Sequence, residues 1–243
     1  MPPEKSLSDK VAVVTGGGRG IGHVIAEYLM CSGASVIITG RDEERLKRAV
    51  RTLRTAGKDK VSYYVFDVSD AQAVERSFNR ITGDCGPVDI LVNNAGIATF
   101  KPVFELTTEE WNRMISVNLN GAFFCTRSVL PSMMQKKSGA IVNITSVASI
   151  KAFSGCSAYA AAKSGLLMFT RVLREEVRDS GIRVSAVILG ATRTEIWDES
   201  DGDFDKNKMI DPAAVGSVVR DICTLPDSAL IEEVIIRPAG GDL

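Results

Sequence analysis

The chain has 243 residues, 45% of them hydrophobic and 24% charged, with a formal net charge of −1. That length can bury a substantial core without metal or disulfide support. The composition excludes a disordered chain, and the near-neutral charge leaves no general pull toward nucleic acid or an anionic membrane surface. Five cysteines, Cys31, Cys85, Cys125, Cys156 and Cys223, are odd in number and lack metal-ligand spacing, which fits a reducing compartment and no metal site. The opening MPPEKSLSDK has no apolar stretch of the secretory kind, and no apolar run approaches the roughly 18 residues of a membrane span, so a soluble, cytoplasmic protein is expected.

The first predicted element is the strand VAVVT, followed by Thr15-Gly16-Gly17-Gly18-Arg19-Gly20-Ile21-Gly22 and a helix over 21–32. Five glycines in this stretch imply that something must approach the backbone closely. The spacing of Gly16, Gly20 and Gly22 departs from G-x-G-x-x-G, so the position between strand and helix carries the reading. There, backbone N–H groups and the positive helix end can receive a dinucleotide's pyrophosphate; a tight turn with close helix packing is the alternative. His23, the sole histidine, falls on this helix and reads as solvated surface rather than as an acid or base.

The second strand, SVIIT, ends just before Arg41 and Asp42, where a ribose hydroxyl is commonly read by an acid. With an arginine in first place, Arg19 and Arg41 can clamp a 2′-phosphate through charge-assisted bonds, which favours NADP(H) over NAD(H). The alternative is two surface arginines, with Asp42 capping the helix over 42–56. Strand VSYYVF, a helix over 70–83, strand VDILV, a long helix over 108–136, strand AIVNIT, a helix over 158–179, strand IRVSAVI, a helix over 211–223 and strand EEVIIR complete the alternation. These successive βαβ units predict an α/β fold, a doubly wound parallel sheet of seven strands flanked by helices. No linker or internal repeat divides the chain, so one domain over 1–243 is expected.

Ser146 falls at the end of the fifth strand, and Tyr159 and Lys163 lie four residues apart on the next helix. They therefore share a helical face, where the ammonium can lie under the phenol and favour its phenolate. A tyrosine so tuned can give a proton to a carbonyl oxygen. Taken alone, such a pair also occurs on ordinary helices.

Together these motifs resemble the short-chain dehydrogenase/reductase family, in family order and through essentially the whole chain, and the resemblance implies a single Rossmann-like catalytic domain. TGGGRGIG resembles its cofactor loop, with Gly16, Gly18, Arg19, Gly20, Ile21 and Gly22 as contacts; FDVS, with Asp67 and Val68, resembles its adenine contact. NNAG, with Asn93, Ala95 and Gly96, resembles the structural and ribose-side element after the fourth strand, and Asn118 in SVNLNG the family's helix asparagine. By the same resemblance Ser146 orients the substrate carbonyl, Tyr159 is the acid/base, and Lys163 belongs to both the catalytic set and the cofactor site. Asn118 then supports a water beside the lysine, in a proton path from solvent through Lys163 and the cofactor ribose to Tyr159. Ser149 is a nearby decoy that lacks the family spacing to Tyr159. Gly190, Thr192 and Thr194 match the nicotinamide-side contacts, although Leu189 stands where the family usually has proline.

The segment 192–209 lacks clean periodicity and carries six acids against three cations, which suggests a mobile substrate lid with Ile196, Trp197 and Phe204 facing inward. Ile150, Phe153 and Trp197, beside Ser146 and Tyr159, imply an apolar substrate wall. Three functions are weighed: an NADP(H)-dependent reductase of a small-molecule carbonyl, running in reverse as an alcohol dehydrogenase; a 3-oxoacyl-[acyl-carrier-protein] reductase, with Lys136 and Lys137 docking an acidic carrier; and a dinucleotide sensor without turnover. The preferred reading of Lys136 and Lys137 is as cations that complement a helix C-terminus. The family resemblance implies a homo-oligomer, dimer or tetramer, through the helices at 108–136 and 158–179, whose apolar faces could also be accounted for by packing on the sheet.

Overall fold

A computed structural model describes residues 6–55, 60–195 and 205–241. The elements alternate as expected: β1 (Val11–Thr15), α1 (Gly20–Cys31), β2 (Ser35–Gly40), α2 (Glu43–Thr55), β3 (Val61–Val65), α3 (Ala71–Cys85) and β4 (Ile90–Asn93). Then come α4 (Thr108–Ile115), α5 (Gly121–Lys136), β5 (Gly139–Ser146), α6 (Ser157–Glu176), β6 (Ile182–Leu189), α7 (Pro212–Thr224) and β7 (Glu233–Ile236). Every strand pairing is parallel and the order is β3-β2-β1-β4-β5-β6-β7. The chain starts in the middle of the sheet, builds to one edge, then returns and builds to the other, and this reversal opens a crevice at the carboxyl ends of β1 and β4.

Alternation along the strands explains why both sheet faces are covered. Ala12 and Val14 face one core with Ile25, Leu29, Leu46, Val215 and Val219, while Val13 faces the other with Phe78, Val129 and Leu173. Helices α1, α2 and α7 thus cover one side, and α3, α5 and α6 the other, as sheets buried on both faces require. Among the described residues no helix is long and apolar enough to cross a membrane, and no cluster of His, Cys, Asp or Glu could hold a metal ion.

The helix expected over 108–136 is not continuous. α4 and α5 are joined by a wide turn over Ser116–Asn120, closed by the Gly121 N–H donating to Ser116 O. Asn118 supplies a reason: its Nδ2 donates to Met114 O and Ile97 O, each at 3.0 Å, and its Oδ1 accepts from Ile97 N at 3.2 Å. An amide side chain that binds backbone outside its own helix competes with regular α geometry, and such bulges often mark functional positions.

Candidate active site

Thr15 ends β1 and organises the crevice. Its hydroxyl donates to Val92 O at 3.3 Å and accepts the N–H groups of Asn94 and Ala95, both at 3.0 Å. The Asn94 amide closes the brace by donating to Thr15 O at 2.9 Å and Gly16 O at 3.3 Å. Gly16 has φ +67°, and a Cβ there would lie 2.9 Å from Ala95 Cα; one on Gly22 would lie 2.5 Å from Gly16 O. These glycines therefore let the loop close on itself. The close packing weighed as the alternative for the glycine stretch is present.

At the start of α1, Arg19 occupies the cap position but makes no side-chain cap bond, and the first turn holds no acid. By contrast, Asp70, Thr107 and Asp211 cap α3, α4 and α7 with side-chain oxygens. An uncapped helix start behind a glycine loop leaves N–H donors for an anion, which fits a pyrophosphate. Arg41 Nη1 lies 3.4 Å from Asp67 Oδ2. Burial pushes the Asp67 carboxyl upward, but hydrogen bonds from Ser69 N and Oγ and the Arg41 charge hold it below its ordinary value. Asp42 accepts from Arg45 N at 2.9 Å, the capping bond expected of it.

The chemistry-bearing residues converge at the carboxyl ends of β4 and β5. Ser146 is the last residue of β5, and its hydroxyl acts on the Tyr159 phenol to lower its pKa. Lys163, one turn further along α6, is 5% exposed, donates from Nζ to Ile144 O at 3.0 Å, and has Nζ 5.8 Å from the Tyr159 ring centre. A Cβ on Gly96 would lie 2.7 Å from Asn118 Oδ1 and 3.5 Å from Lys163 Nζ, so Gly96 lets the asparagine and lysine approach the turn after β4. Ser149 Oγ donates to Ser146 O at 2.5 Å, and the loop role expected for it is the one its hydroxyl performs.

Electrostatics differ from the sequence expectation at Tyr159. Burial pushes the phenol up from its ordinary value and outweighs the lowering influence of Ser146. Lys163 is itself pushed down to about 8 by burial. Desolvation acts on both groups, and the phenol, not the phenolate, is the favoured form. His23 is also not the solvated residue expected: it is half-buried, its Nδ1 is buried without a hydrogen-bond partner, and burial lowers its pKa.

Other expected contacts fall differently. Asn93 is 4% exposed and faces the interior: Nδ2 donates to Thr126 Oγ1 at 3.1 Å and Asn143 Oδ1 at 2.8 Å, while Asn143 Nδ2 donates to Thr170 Oγ1 at 2.8 Å. Its side chain thus belongs to a buried chain of polar groups linking β4, α5, β5 and α6, which is the structural half of the role expected of this element. Val68 is buried against the start of α5. Ile150 is exposed, but the Phe153 ring rests on Val147, Leu167, Ala186 and Ile188. The aromatic that meets Tyr159 is Phe100, edge-on with ring centres 6.2 Å apart. Sequence reading missed it, because no periodicity marks a loop residue. The loop is tied across by Lys101 N to Gly155 O at 2.9 Å.

Leu189, in place of proline, stays in register with Ser146 and Ile236, and Gly190 N donates to Ile236 O at 2.8 Å. Thr192 is buried, its Oγ1 donating to Gly190 O at 3.1 Å, and Thr194 lies over Gly20, 3.4 Å from where a Cβ would stand. Of the expected lid, Ile196, Trp197 and Phe204 lie outside the described residues. Its ends are pinned: Thr192 pairs with Ile210, and Arg193 Nη2 lies 2.7 Å from Asp211 Oδ2. Lys136 Nζ lies 2.9 Å from Asp89 Oδ1, so it braces the structure, and Lys137 ends α5 in the left-handed conformation.

Comparison with known proteins agrees with this architecture. The family model described as short chain dehydrogenase matches residues 10–203. A 3-oxoacyl-[acyl-carrier-protein] reductase of Vibrio harveyi is 33% identical over 97% of this chain and 98% of its own. An alcohol dehydrogenase from the archaeon Thermococcus sibiricus, in complex with 5-hydroxy-NADP, superposes with a TM-score of 0.87 at 30% identity, covering 95% of this chain and 97% of that one. A metagenomic short-chain oxidoreductase in complex with NADP gives 0.84 at 34% identity, over 96% and 98%. With the uncapped glycine loop on β1 and the serine, tyrosine and lysine gathered at the end of β5, the chain belongs to the short-chain dehydrogenase family of oxidoreductases.

Proposed function

We propose that the protein is an NADP(H)-dependent oxidoreductase interconverting a carbonyl and a secondary alcohol of a small-molecule substrate. The observation that carries this reading is the gathering of Ser146, Tyr159 and buried Lys163 at the strand ends that adjoin the glycine loop. The bound dinucleotide would supply or accept hydride at its nicotinamide. Ser146 orients the carbonyl oxygen, and Tyr159, held as a phenol by burial, gives it a proton. Lys163 stays charged at neutral pH, below its value of about 8, and stabilises the phenolate left behind. Asn118 positions Gly96 and the turn around Lys163 through its bonds to Ile97. Arg19 and Arg41 take the 2′-phosphate, the α1 start takes the pyrophosphate, and Gly190, Thr192 and Thr194 flank the nicotinamide. Relatives in complex with NADP or a derivative support that cofactor.

The similarity to the Vibrio harveyi reductase favours a second reading, a carrier-bound 3-oxoacyl substrate. Assay of NADPH oxidation with a panel of free carbonyls and a carrier-bound 3-oxoacyl chain separates the two. Tyr159→Phe is expected to keep cofactor affinity and lose about 10²–10⁴ in turnover; a Phe variant of near wild-type rate would remove Tyr159 as the acid. No turnover with any carbonyl, alongside intact NADPH binding, would return the protein to the sensing class.

A further inference from the structure

The loop that leaves β6 folds back onto the glycine loop. Ile210 N donates to Ala191 O and Arg193 N to Ile210 O, both at 2.9 Å, and this small ladder directs the next residues over α1. Thr194 then covers Gly20, and Glu195 Oε2 comes within 3.2 Å of Arg19 Nη1 across a sequence separation of 176 residues. Among the described residues Arg19 is the side-chain partner of Glu195, whereas Asp67, facing Arg41, is also held by Ser69 N and Oγ at 2.9 and 2.7 Å. Asp67 therefore has a structural reason to stand where it does. Glu195 is 62% exposed at its side chain and is placed by its own loop against one of the two cations assigned to a 2′-phosphate.

We propose that Glu195 is a specificity-determining residue for the cofactor: an internal anion that competes with the 2′-phosphate for Arg19 and so sets how far NADPH is preferred to NADH. The proposal rests on the reading that Arg19 and Arg41 take that phosphate. A phosphate carries more charge than a carboxylate and accepts a guanidinium fork in the same way, so it displaces Glu195 while also meeting its repulsion. NADH has no 2′-phosphate, leaves the Arg19–Glu195 pair in place, and is insensitive to it. An exposed pair of this kind is worth at most about 1 kcal/mol, equivalent to a change of roughly fivefold in affinity.

The test is equilibrium binding of NADPH, NADH and 2′,5′-ADP to the full chain, for wild type, Glu195→Gln, Arg19→Ala and the double variant, at low and high salt. Glu195→Gln is expected to tighten NADPH and 2′,5′-ADP by about two- to fivefold at low salt and to leave NADH unchanged. The gain should shrink at high salt and vanish when Arg19 is absent. Weaker or unchanged NADPH binding in Glu195→Gln, an equal gain for NADH, or a gain that survives Arg19→Ala overturns the proposal. If wild type fails to bind 2′,5′-ADP and Arg19→Ala weakens NADPH and NADH equally, the phosphate reading itself has failed. If Arg19 supports 2′,5′-ADP binding and Glu195→Gln changes nothing, the competitor role alone has failed.

Discussion

Lys163 shows what a buried lysine costs the fold. It is 5% exposed, and burial pushes its ammonium from 10.5 to about 8. A group whose folded pKa lies below its unfolded value binds fewer protons in the folded chain between the two values, so this contribution makes stability rise from pH 8 toward pH 10.5. Below pH 8 the penalty is present in full, and a displacement of that size corresponds to about 3 kcal/mol. Lys163→Met removes the charge and gives up the bond to Ile144 O, so a net gain of about 1–3 kcal/mol is expected at pH 7. Urea unfolding at pH 7 and pH 10 checks it: the mutant's advantage should narrow at the higher pH, and a mutant less stable at pH 7 would refute the account. The Tyr159–Lys163 spacing was legible in the sequence because one helical turn brings i and i+4 together. Which way the phenol's pKa moves was not, since that depends on burial created by Phe100, Ser146 and the turn after β4.

At the scale of elements, strands were the most legible part of the chain. VAVVT, SVIIT and IRVSAVI are apolar because both sheet faces are covered, and that pattern survives any detail of packing. The break between α4 and α5 was hidden: SVNLNG is rich in weak helix formers, but Ile97, whose backbone binds the Asn118 side chain, lies on another segment. Gly121 belongs to the same break: a Cβ there would lie 2.9 Å from Val68 Cγ2 and 3.2 Å from Val68 O. Val68 cannot yield freely, since one of those atoms is backbone. Gly121→Ala is therefore expected to lose about 1–3 kcal/mol and to weaken NADPH binding through Val68, despite alanine's better helix propensity. Gly83, in α3, has nothing within 4 Å of its Cβ position, so Gly83→Ala should gain about 0.5–1 kcal/mol. Thermal melts of the two variants give opposite signs if packing governs, and gains in both would show that Val68 moves aside.

The whole molecule leaves an apolar face that its own sheet does not cover. Helices packed on a sheet can show an apolar stripe for that reason alone, and α5 and α6 do bury Val129, Met133, Leu167 and Leu173 inward. On the outward side, however, Phe123 is 42% exposed, Met168 54% and Val172 49%, with Trp111 of α4 at 40%. The Phe123 and Phe169 rings meet edge-on at 6.1 Å, which joins the outward sides of α5 and α6. Met168 and Val172 are one turn apart and project together. Neighbouring exposed apolar side chains suit a contact, and a second copy related by a two-fold axis would meet them with the same helices, apolar against apolar. We infer that the protein self-associates through this face, and light scattering after gel filtration is expected to give a dimer or a tetramer. Placing carboxylates at its centre, Phe123→Glu with Met168→Glu, buries unpaired charge in the contact but leaves each subunit's inward core untouched, so the mass should fall while the circular dichroism spectrum persists. A wild-type monomer at micromolar concentration, or an unchanged assembly in the double variant, would place the contact elsewhere or remove it. Because α6 also carries Tyr159 and Lys163 on its inward face, a dissociated but folded variant further reports whether the contact steadies the site: turnover should drop with NADPH affinity retained if it does.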